Sequence, residues 1–299
     1  MFFSGADIGH LHCGATNVRS RTNTSFSIYN GLQTSLRTAN YHGLTGSLSY
    51  TWSRTIDNAS EIFSTSGGGT TNAFAQNPLD TNNGERGLSG NSYPNVTAIG
   101  LTYKLPLYEG QHNLKAQLFG GYQLNTIYTF NSGQAYTPAQ YYNEGSLCDE
   151  SFGPTFIGSI DTCRPILSNK NAPLNTVGVN VGNGVYQNYA TGAVTTRDSV
   201  HWLINNKAEA VAMGNPFPGV SRNTLVGQST NNVDLSVYKN THLTERVNFQ
   251  LQVTAFNALN RAYYGTPDVF VEGAASTFAN YSGNAGTQRN VQFSGKILF

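Results

Sequence analysis

The chain has 299 residues and a net charge of +1 at pH 7, with 17 Lys plus Arg and 16 Asp plus Glu. Only 11% of its residues are charged, against ~25% in soluble domains, and the near-neutral charge without any basic run excludes nucleic-acid binding. The mean hydropathy of −0.32 and the lack of a long apolar run exclude a helical membrane protein, whereas 34 Asn, 32 Gly, 17 Tyr and 16 Phe suit strands, turns and polar loops.

Seven segments alternate apolar and polar residues with a period of two, which predicts strands with one apolar and one polar face. In the segment 44–53, Leu44, Leu48 and Trp52 fall on one face, while Ser and Thr residues occupy the other. The segment 246–255 repeats this pattern. In chain order, the predicted strands are 27–38, 44–53, 96–105, 114–130, 232–239, 246–255 and 290–299.

Strand length and loop length indicate what kind of sheet this is. Several strands reach about ten residues, which is the length that crosses a bilayer when a strand is tilted. Short turns at 40–43, 106–113 and 240–245 alternate with long loops at 57–94, 131–231 and 257–288. Short periplasmic turns and long extracellular loops are typical of outer-membrane barrels. We therefore predict an all-β fold, an antiparallel transmembrane β-barrel portion of about seven long strands in the lipid bilayer of the cell outer membrane.

The last strand alternates up to the carboxyl terminus and ends on an aromatic residue. Phe293, Ile297 and Phe299 share its apolar face. Such an ending resembles the recognition signal of the barrel assembly machinery, which we expect to be a partner of this chain.

Seven segments, several of which overlap the predicted strands, resemble the C-terminal barrel region of TonB-dependent outer-membrane receptors, in particular the Oar-like branch. They occur in the order of that family and cover roughly residues 27–299. The segments are Tyr29 to Arg37, Tyr50 to Asp57, Asn83 to Ser89, Gly121 to Leu124, Phe130 to Gln134, Ser221 to Leu225, and Leu243 to Arg246 leading into Phe256-Asn257.

The resemblance implies a barrel of about 22 strands that is plugged by an N-terminal domain and energised through TonB. Because seven strands cannot close such a barrel, we expect residues 27–299 to be its C-terminal part and residues 1–26 to be a loop or truncated N-terminal segment. Plug and TonB contacts would then come only from a missing N-terminal region. The alternative is a small closed barrel that draws an extra strand from 184–196.

Few residues suggest chemistry. Cys148 and Cys163 lie fifteen residues apart in the longest loop and are a candidate disulfide in an oxidising compartment. A metal site from His10, His12 and Cys13 lacks a fourth ligand. The acidic residues lie on long loops, where solvated carboxylates are the default. We predict no catalytic residue, no metal and no cofactor, and the chain is not expected to be an enzyme.

Aromatic and amide side chains make the long loops candidates for binding a small solute, glycan or peptide. The alternative is that these side chains only pack the loops on one another. The candidate ligand-contacting residues are Arg86, Tyr141, Tyr142, Tyr189, Trp202, Tyr263 and Tyr264.

Three functions follow from these patterns. The first is a TonB-dependent receptor fragment that takes up a scarce solute through a plugged barrel. The second is a passive porin or surface adhesin. The third is a secreted carbohydrate-binding β-sandwich, which would partition into the aqueous phase.

Overall fold

The structure is a computed structural model. It describes residues 23–60, 80, 82, 84–108, 113–140, 164–215, 217–244, 246–265, 267–272, 277–281, 286 and 288–299.

The described residues form strands, two short α-helices and one 3₁₀ turn at Arg197–Ser199. The helices are α1 (Leu114–Phe119) and α2 (Lys207–Met213). The strands are β1 (Ser27–Tyr41), β2 (Leu44–Asp57), β3 (Gly87–Leu88), β4 (Asn95–Lys104), β5 (Tyr122–Asn131), β6 (Ala135–Tyr136), β7 (Ile166–Leu167), β8 (Val177–Gly182), β9 (Val185–Asn188), β10 (Val194–Thr195), β11 (Trp202–Leu203), β12 (Leu225–Val226), β13 (Thr230–His242), β14 (Asn248–Phe256) and β15 (Asn290–Leu298).

The seven long strands pair in one antiparallel sheet, called the large sheet. Its order is β1-β2-β4-β5-β13-β14-β15, and β3 adds to the long-loop end of β2. All seven predicted strands are present, and each of them pairs with the next long strand along the chain. Among the described residues, β1 and β15 each have a neighbour on one side only.

The register aligns the apolar residues of all seven strands on one face. A single row crosses the sheet from Leu36 through Leu48 and Ile99 to Tyr128 and Val233. The adjacent polar row runs through Ser35, Ser49, Ala98, Thr129 and Asn232. Because a one-residue slip would reverse both faces, this register fixes one apolar surface and one polar surface. Large side chains of the apolar surface, including Leu36 at 67% and Phe293 at 72%, are exposed.

The short turn predicted at 40–43 is a two-residue hairpin, because β1 ends at Tyr41 and β2 begins at Leu44. His42 and Gly43 both have positive φ angles, +49° and +83°, as the favoured hairpin turns require. A Cβ atom on Gly43 would lie 2.5 Å from the Lys104 carbonyl oxygen. The position therefore requires glycine for both its backbone conformation and its close approach to β4.

The prediction of one strand over 114–130 is wrong at its start. Residues 114–119 form α1, and the strand β5 begins at Tyr122. The Asn113 side chain accepts a hydrogen bond of 2.8 Å from the Ala116 amide, an N-cap that favours helix over strand. Leu, Lys, Ala and Gln are also good helix formers, so local propensity overrides the alternating pattern here.

The long loop 131–231 contains a sheet of its own, called the small sheet, in the order β10-β9-β8-β11-β7. The segment 184–196 forms β9 and β10 of this small sheet, so it does not supply the extra barrel strand of the small-barrel alternative. Nor are the long strands divided between two packed sheets, which a β-sandwich would require. The sandwich hypothesis is therefore wrong.

Above the large sheet, the second and third long loops share an apolar core. Val177, Trp202 and Ile204 come from the second loop, and Val271 and Phe278 come from the third. The rings of Trp202 and Phe278 meet edge to face, with centroids 5.9 Å apart. We call these packed loop residues, together with the small sheet, the loop region.

Candidate functional site

Four charged residues from distant parts of the chain meet in a buried ion cluster at the long-loop end of β2. They are Asp57, Glu85, Arg164 and Arg222, and none has more than 3% of its surface exposed. Arg222 pairs with Asp57, and Arg164 pairs with Glu85. The Nε atom of Arg222 lies 4.0 Å from Glu85 Oε2. Two cations therefore balance two anions out of contact with water, which is how buried charge is tolerated.

Arg222 bonds to more than its ion-pair partner. Its Nη1 donates to Ser60 Oγ at 2.8 Å, its Nη2 to the Asp57 carbonyl oxygen at 2.9 Å, and its Nε to the Glu85 carbonyl oxygen at 3.2 Å. The next residue, Asn223, donates from its side chain to the Leu88 carbonyl oxygen at 2.7 Å. Arg222 and Asn223 thus fasten the end of the second long loop to the first.

The cluster joins three segments that the sequence singled out, 50–57, 83–89 and 221–225. Asp57 ends one of them, Glu85 to Leu88 belong to another, and Arg222 and Asn223 to a third. A Cβ atom on Gly87 would lie 2.8 Å from the Arg222 carbonyl oxygen, so a glycine is needed where two of these segments touch. The predicted residue Arg86, next to Glu85 in the chain, is exposed.

Two adjoining cavities form a cleft at the long-loop end of the polar face of the large sheet. Their volumes are about 440 Å³ and 600 Å³, and Asn131, Thr230 and Tyr263 line both. We call them together the strand-end cleft. Its floor is formed by ends of polar rows on four strands: Val96, Thr129, Asn131, Thr230, Asn232, Asp234 and Asn290.

The side walls of the cleft are built by close backbone contacts. Gly133 packs so tightly on the backbone of Gly227 that a Cβ atom would lie 1.8 Å from its carbonyl oxygen. Gln134 donates to the Gly90 carbonyl oxygen at 2.9 Å, and its own carbonyl accepts from the Gly227 amide at 2.9 Å. These bonds connect the walls to the first and second long loops.

Tyr263 and Tyr264 form the roof of the cleft. Asn257, just after β14, accepts a hydrogen bond of 2.9 Å from the Arg261 amide and so fixes the turn that precedes them. Asp234 Oδ1 on the floor accepts from the Asn257 amide at 2.9 Å and from Asn232 Nδ2 at 2.9 Å. This carboxylate therefore ties the roof segment to β13.

Tyrosines extend from the roof into the loop region without carrying charge. The rings of Tyr264 and Tyr281 are 5.4 Å apart. Burial raises the pKa of nearby Tyr136 to about 12, and Tyr281 adds to the rise. In the small sheet, burial and a hydrogen bond to Glu209 raise the pKa of Tyr186. Tyr136 and Tyr186 are therefore neutral at physiological pH.

The structure brings two of the seven predicted ligand-contacting residues together, Tyr263 and Tyr264. The prediction that Trp202 contacts a ligand is wrong, because this side chain is 2% exposed and its indole nitrogen donates to the Leu174 carbonyl oxygen at 2.9 Å. Tyr189 packs against the same core, and Arg86 is exposed outside the cleft. The predicted residues Tyr141, Tyr142, Cys148 and Cys163 lie outside the described residues.

Sequence reasoning missed the polar floor of the strand-end cleft. Asn131, Asn232 and Asp234 belong to polar rows of strands that were recognised, and their parity was available from the alternating pattern. What could not be read from the pattern is which row ends beneath a loop. Phe293 and Ile297, two of the predicted assembly-signal residues, lie on the apolar face, where they pair with Val253 and Phe249; Phe299 follows β15 and is fully exposed.

None of the described groups of His, Cys, Asp and Glu could hold a metal ion with three ligands. None of the described helices is long and apolar enough to cross a membrane.

A sheet of long strands with an exposed apolar face, a polar opposite face, and short turns opposite long loops defines a transmembrane β-strand protein of the outer-membrane type. The comparison with protein families agrees. A family described as an outer membrane beta barrel domain matches residues 8–292, so the chain belongs to that family and its location is the outer membrane. No curated protein and no solved structure matches the chain.

Proposed function

We propose that the chain is part of the barrel of a TonB-dependent receptor that takes up a scarce solute through a plugged pore without altering it chemically. The strand-end cleft carries the proposal. It opens on the polar face at the extracellular end of the strands, where an incoming solute first meets the barrel, and two tyrosines cover it.

The edges of the large sheet support a larger barrel. Strands β1 and β15 each direct one row of backbone groups away from the sheet. Within the part of the chain that the structure describes, roughly 20 such groups would lack partners in lipid, at a few kcal/mol each, which exceeds the stability of a typical domain. Further strands that pair with both edges would remove this cost.

The chemistry of the cleft favours a neutral polar solute such as a glycan or peptide. Asn131, Asn232 and Asn290 offer amide donors and acceptors, and Tyr263 offers an aromatic face. Asp234 already accepts two hydrogen bonds from the protein. The floor therefore carries polar groups that suit hydroxyl and amide groups better than a strong charge.

The test is uptake of a labelled neutral oligosaccharide and a labelled peptide by cells that express the full receptor gene, with and without TonB. We expect uptake of one probe to saturate with concentration and to stop without TonB. Asn232→Ala and Tyr263→Ala should each raise the half-saturating concentration about tenfold, which corresponds to one or two lost contacts. Tyr41→Ala, at the opposite end of the sheet, is the control.

A passive porin is the second candidate, because the polar face would suit a water-filled channel as well. It predicts uptake that rises linearly with concentration and does not depend on TonB. It also predicts stable conductance of the purified protein in planar bilayers, whereas a plugged barrel would conduct little. Linear uptake of both probes would contradict the receptor proposal.

A further inference from the structure

The connection between β4 and β5 departs from the short water-exposed turn that is usual at the periplasmic rim. It contains α1, in which three of the four exposed side chains are large and apolar: Leu114 is 79% exposed, Leu118 64% and Phe119 60%. The fourth is Lys115, whose long side chain can reach the polar boundary of a membrane. The small residue Ala116 is the buried one. A helix that faced water would show the reverse arrangement.

Two side chains of the apolar face hold this helix. Tyr122 and Lys239 are partners in the register of β5 and β13, and both belong to the apolar face by parity with Leu124 and Val237. The Tyr122 hydroxyl donates to the Leu118 carbonyl oxygen at 3.3 Å. The Lys239 ammonium donates to the carbonyl oxygens of Gln117 and Gly120 and lies 4.9 Å from the centroid of the Tyr122 ring.

These contacts place α1 outside the barrel wall. Because Tyr122 and Lys239 project from the apolar face, the helix that they bind lies on that face and not over the lumen. Gly120 fits closely beneath the carbonyl oxygens of Leu107 and Tyr108, 3.0 Å and 2.6 Å from where a Cβ atom would be. Leu107 and Tyr108 are themselves 48% and 56% exposed, so they extend the same apolar surface.

We propose that α1 with Leu107 and Tyr108 is a membrane-interface anchor that inserts into the periplasmic leaflet of the outer membrane. The surface is continuous with the lipid-facing side of β5 and β13, which is an established contact of an outer-membrane barrel. Interfacial helices bury their apolar face roughly 5–10 Å into the boundary between headgroups and acyl chains. The occupant is therefore phospholipid. This inference rests on membership of the barrel family and is independent of the proposed transport.

The ammonium group of Lys239 has a defined part in this arrangement. A lysine on a lipid-facing surface is costly unless it reaches the interface or polar partners. Here, the last turn of α1 supplies the partners, since carbonyl groups at a helix end have no partner within the helix. The helix thus solvates the lysine, and the lysine orients the helix on the barrel wall.

The test uses the full barrel protein in phosphatidylcholine vesicles, with quenching of tryptophan emission by brominated acyl chains. Trp52→Phe removes the lipid-facing tryptophan, and Trp202 stays buried in the loop region. In this background, Leu114→Trp and Leu118→Trp report on α1. Phe293→Trp is the lipid-facing reference, and Val194→Trp, 77% exposed on the small sheet, is the water-facing reference.

We expect both α1 variants to be quenched to the same degree as Phe293→Trp. Quenching no greater than that of Val194→Trp would place the helix in water or against another protein and would overturn the proposal. Heat-dependent gel mobility establishes that each variant is folded. Two reporter positions guard against the failure of one of them.

A second measurement examines the lysine. Lys239→Met removes the hydrogen bonds to α1 but keeps an apolar side chain on the apolar face. We expect amide hydrogen exchange of residues 114–119 to accelerate at least tenfold in vesicles, while β5 stays protected. Unchanged exchange in α1 would contradict the role assigned to Lys239.

Discussion

The two tryptophans of the chain lie in its two regions, and their surroundings are opposite. Trp52 is 45% exposed on the apolar face of the large sheet, whereas Trp202 is 2% exposed in the core of the loop region. The large sheet turns apolar side chains outward and polar ones inward, while the loop region does the reverse. Each region thus matches its own solvent, lipid for one and water for the other, within a single chain.

The first prediction concerns a variant that breaks the ion cluster, which connects the large sheet to the loop region. Arg222→Ala leaves Asp57 and Glu85 buried with one cation fewer, and breaking a buried ion pair costs about 3–5 kcal/mol. We expect the loop region to become accessible to protease and to exchange its amide hydrogens rapidly. The large sheet should keep its heat-dependent gel mobility, because its strand pairing does not involve Arg222.

Arg86→Ala is the matched control, since it removes an exposed arginine from the segment that contains Glu85. Its effect on the free energy of unfolding should stay within about 0.5 kcal/mol. If the loop region is equally resistant to protease in both variants, the ion cluster does not hold the two regions together.

The second prediction tests the two faces of the large sheet. Leu101→Arg places a charge on the apolar face near the middle of β4 and should destabilise the protein by about 2–4 kcal/mol in vesicles. Thr102→Arg, one residue later, faces the polar side and should cost much less. Urea-dependent unfolding from vesicles measures both, and equal losses would contradict the assigned faces.

The third prediction concerns a neutral polar contact between the loops. Asn223→Ala removes hydrogen bonds to Leu88 and Thr137 and leaves buried partners unsatisfied, at a cost of about 1–3 kcal/mol. We expect faster hydrogen exchange at residues 87–89 and 135–137. The neighbouring exposed residue Thr224 gives the control Thr224→Ala, and a matching change in that control would argue against a specific role of Asn223.

The smallest expected effect concerns α1. Asn113→Ala removes its N-cap and should cost about 1 kcal/mol, seen as faster exchange in residues 114–119. Asn171, which is exposed and lies outside this helix, serves as a control through Asn171→Ala. Protection of α1 that survives Asn113→Ala would show that contacts with Tyr122 and Lys239 dominate over capping.

The large sheet could be predicted from the sequence because its strands are long and each one carries its own alternating signal. The small sheet could not, since β7, β10 and β11 have two residues each and no period can be read from two residues. The ion cluster escaped prediction for a different reason: Arg222 is 165 residues from Asp57 and 137 from Glu85. Sequence pattern singled out Arg86, whereas only the tertiary fold shows that Arg164 and Arg222 bind Glu85.

The same separation along the chain means that the ion cluster depends on contacts between distant segments. Asp57 and Glu85 precede the β4–β5 hairpin, and Arg164 and Arg222 follow it, so the cluster can be completed only after this hairpin is in place and the second long loop has reached the outer side. Until then, two carboxylates and two guanidinium groups stay hydrated. Completion of the cluster therefore joins the long loops on either side of the β4–β5 hairpin, and a variant that lacks it should leave these loops open to extracellular protease while the strands stay inserted.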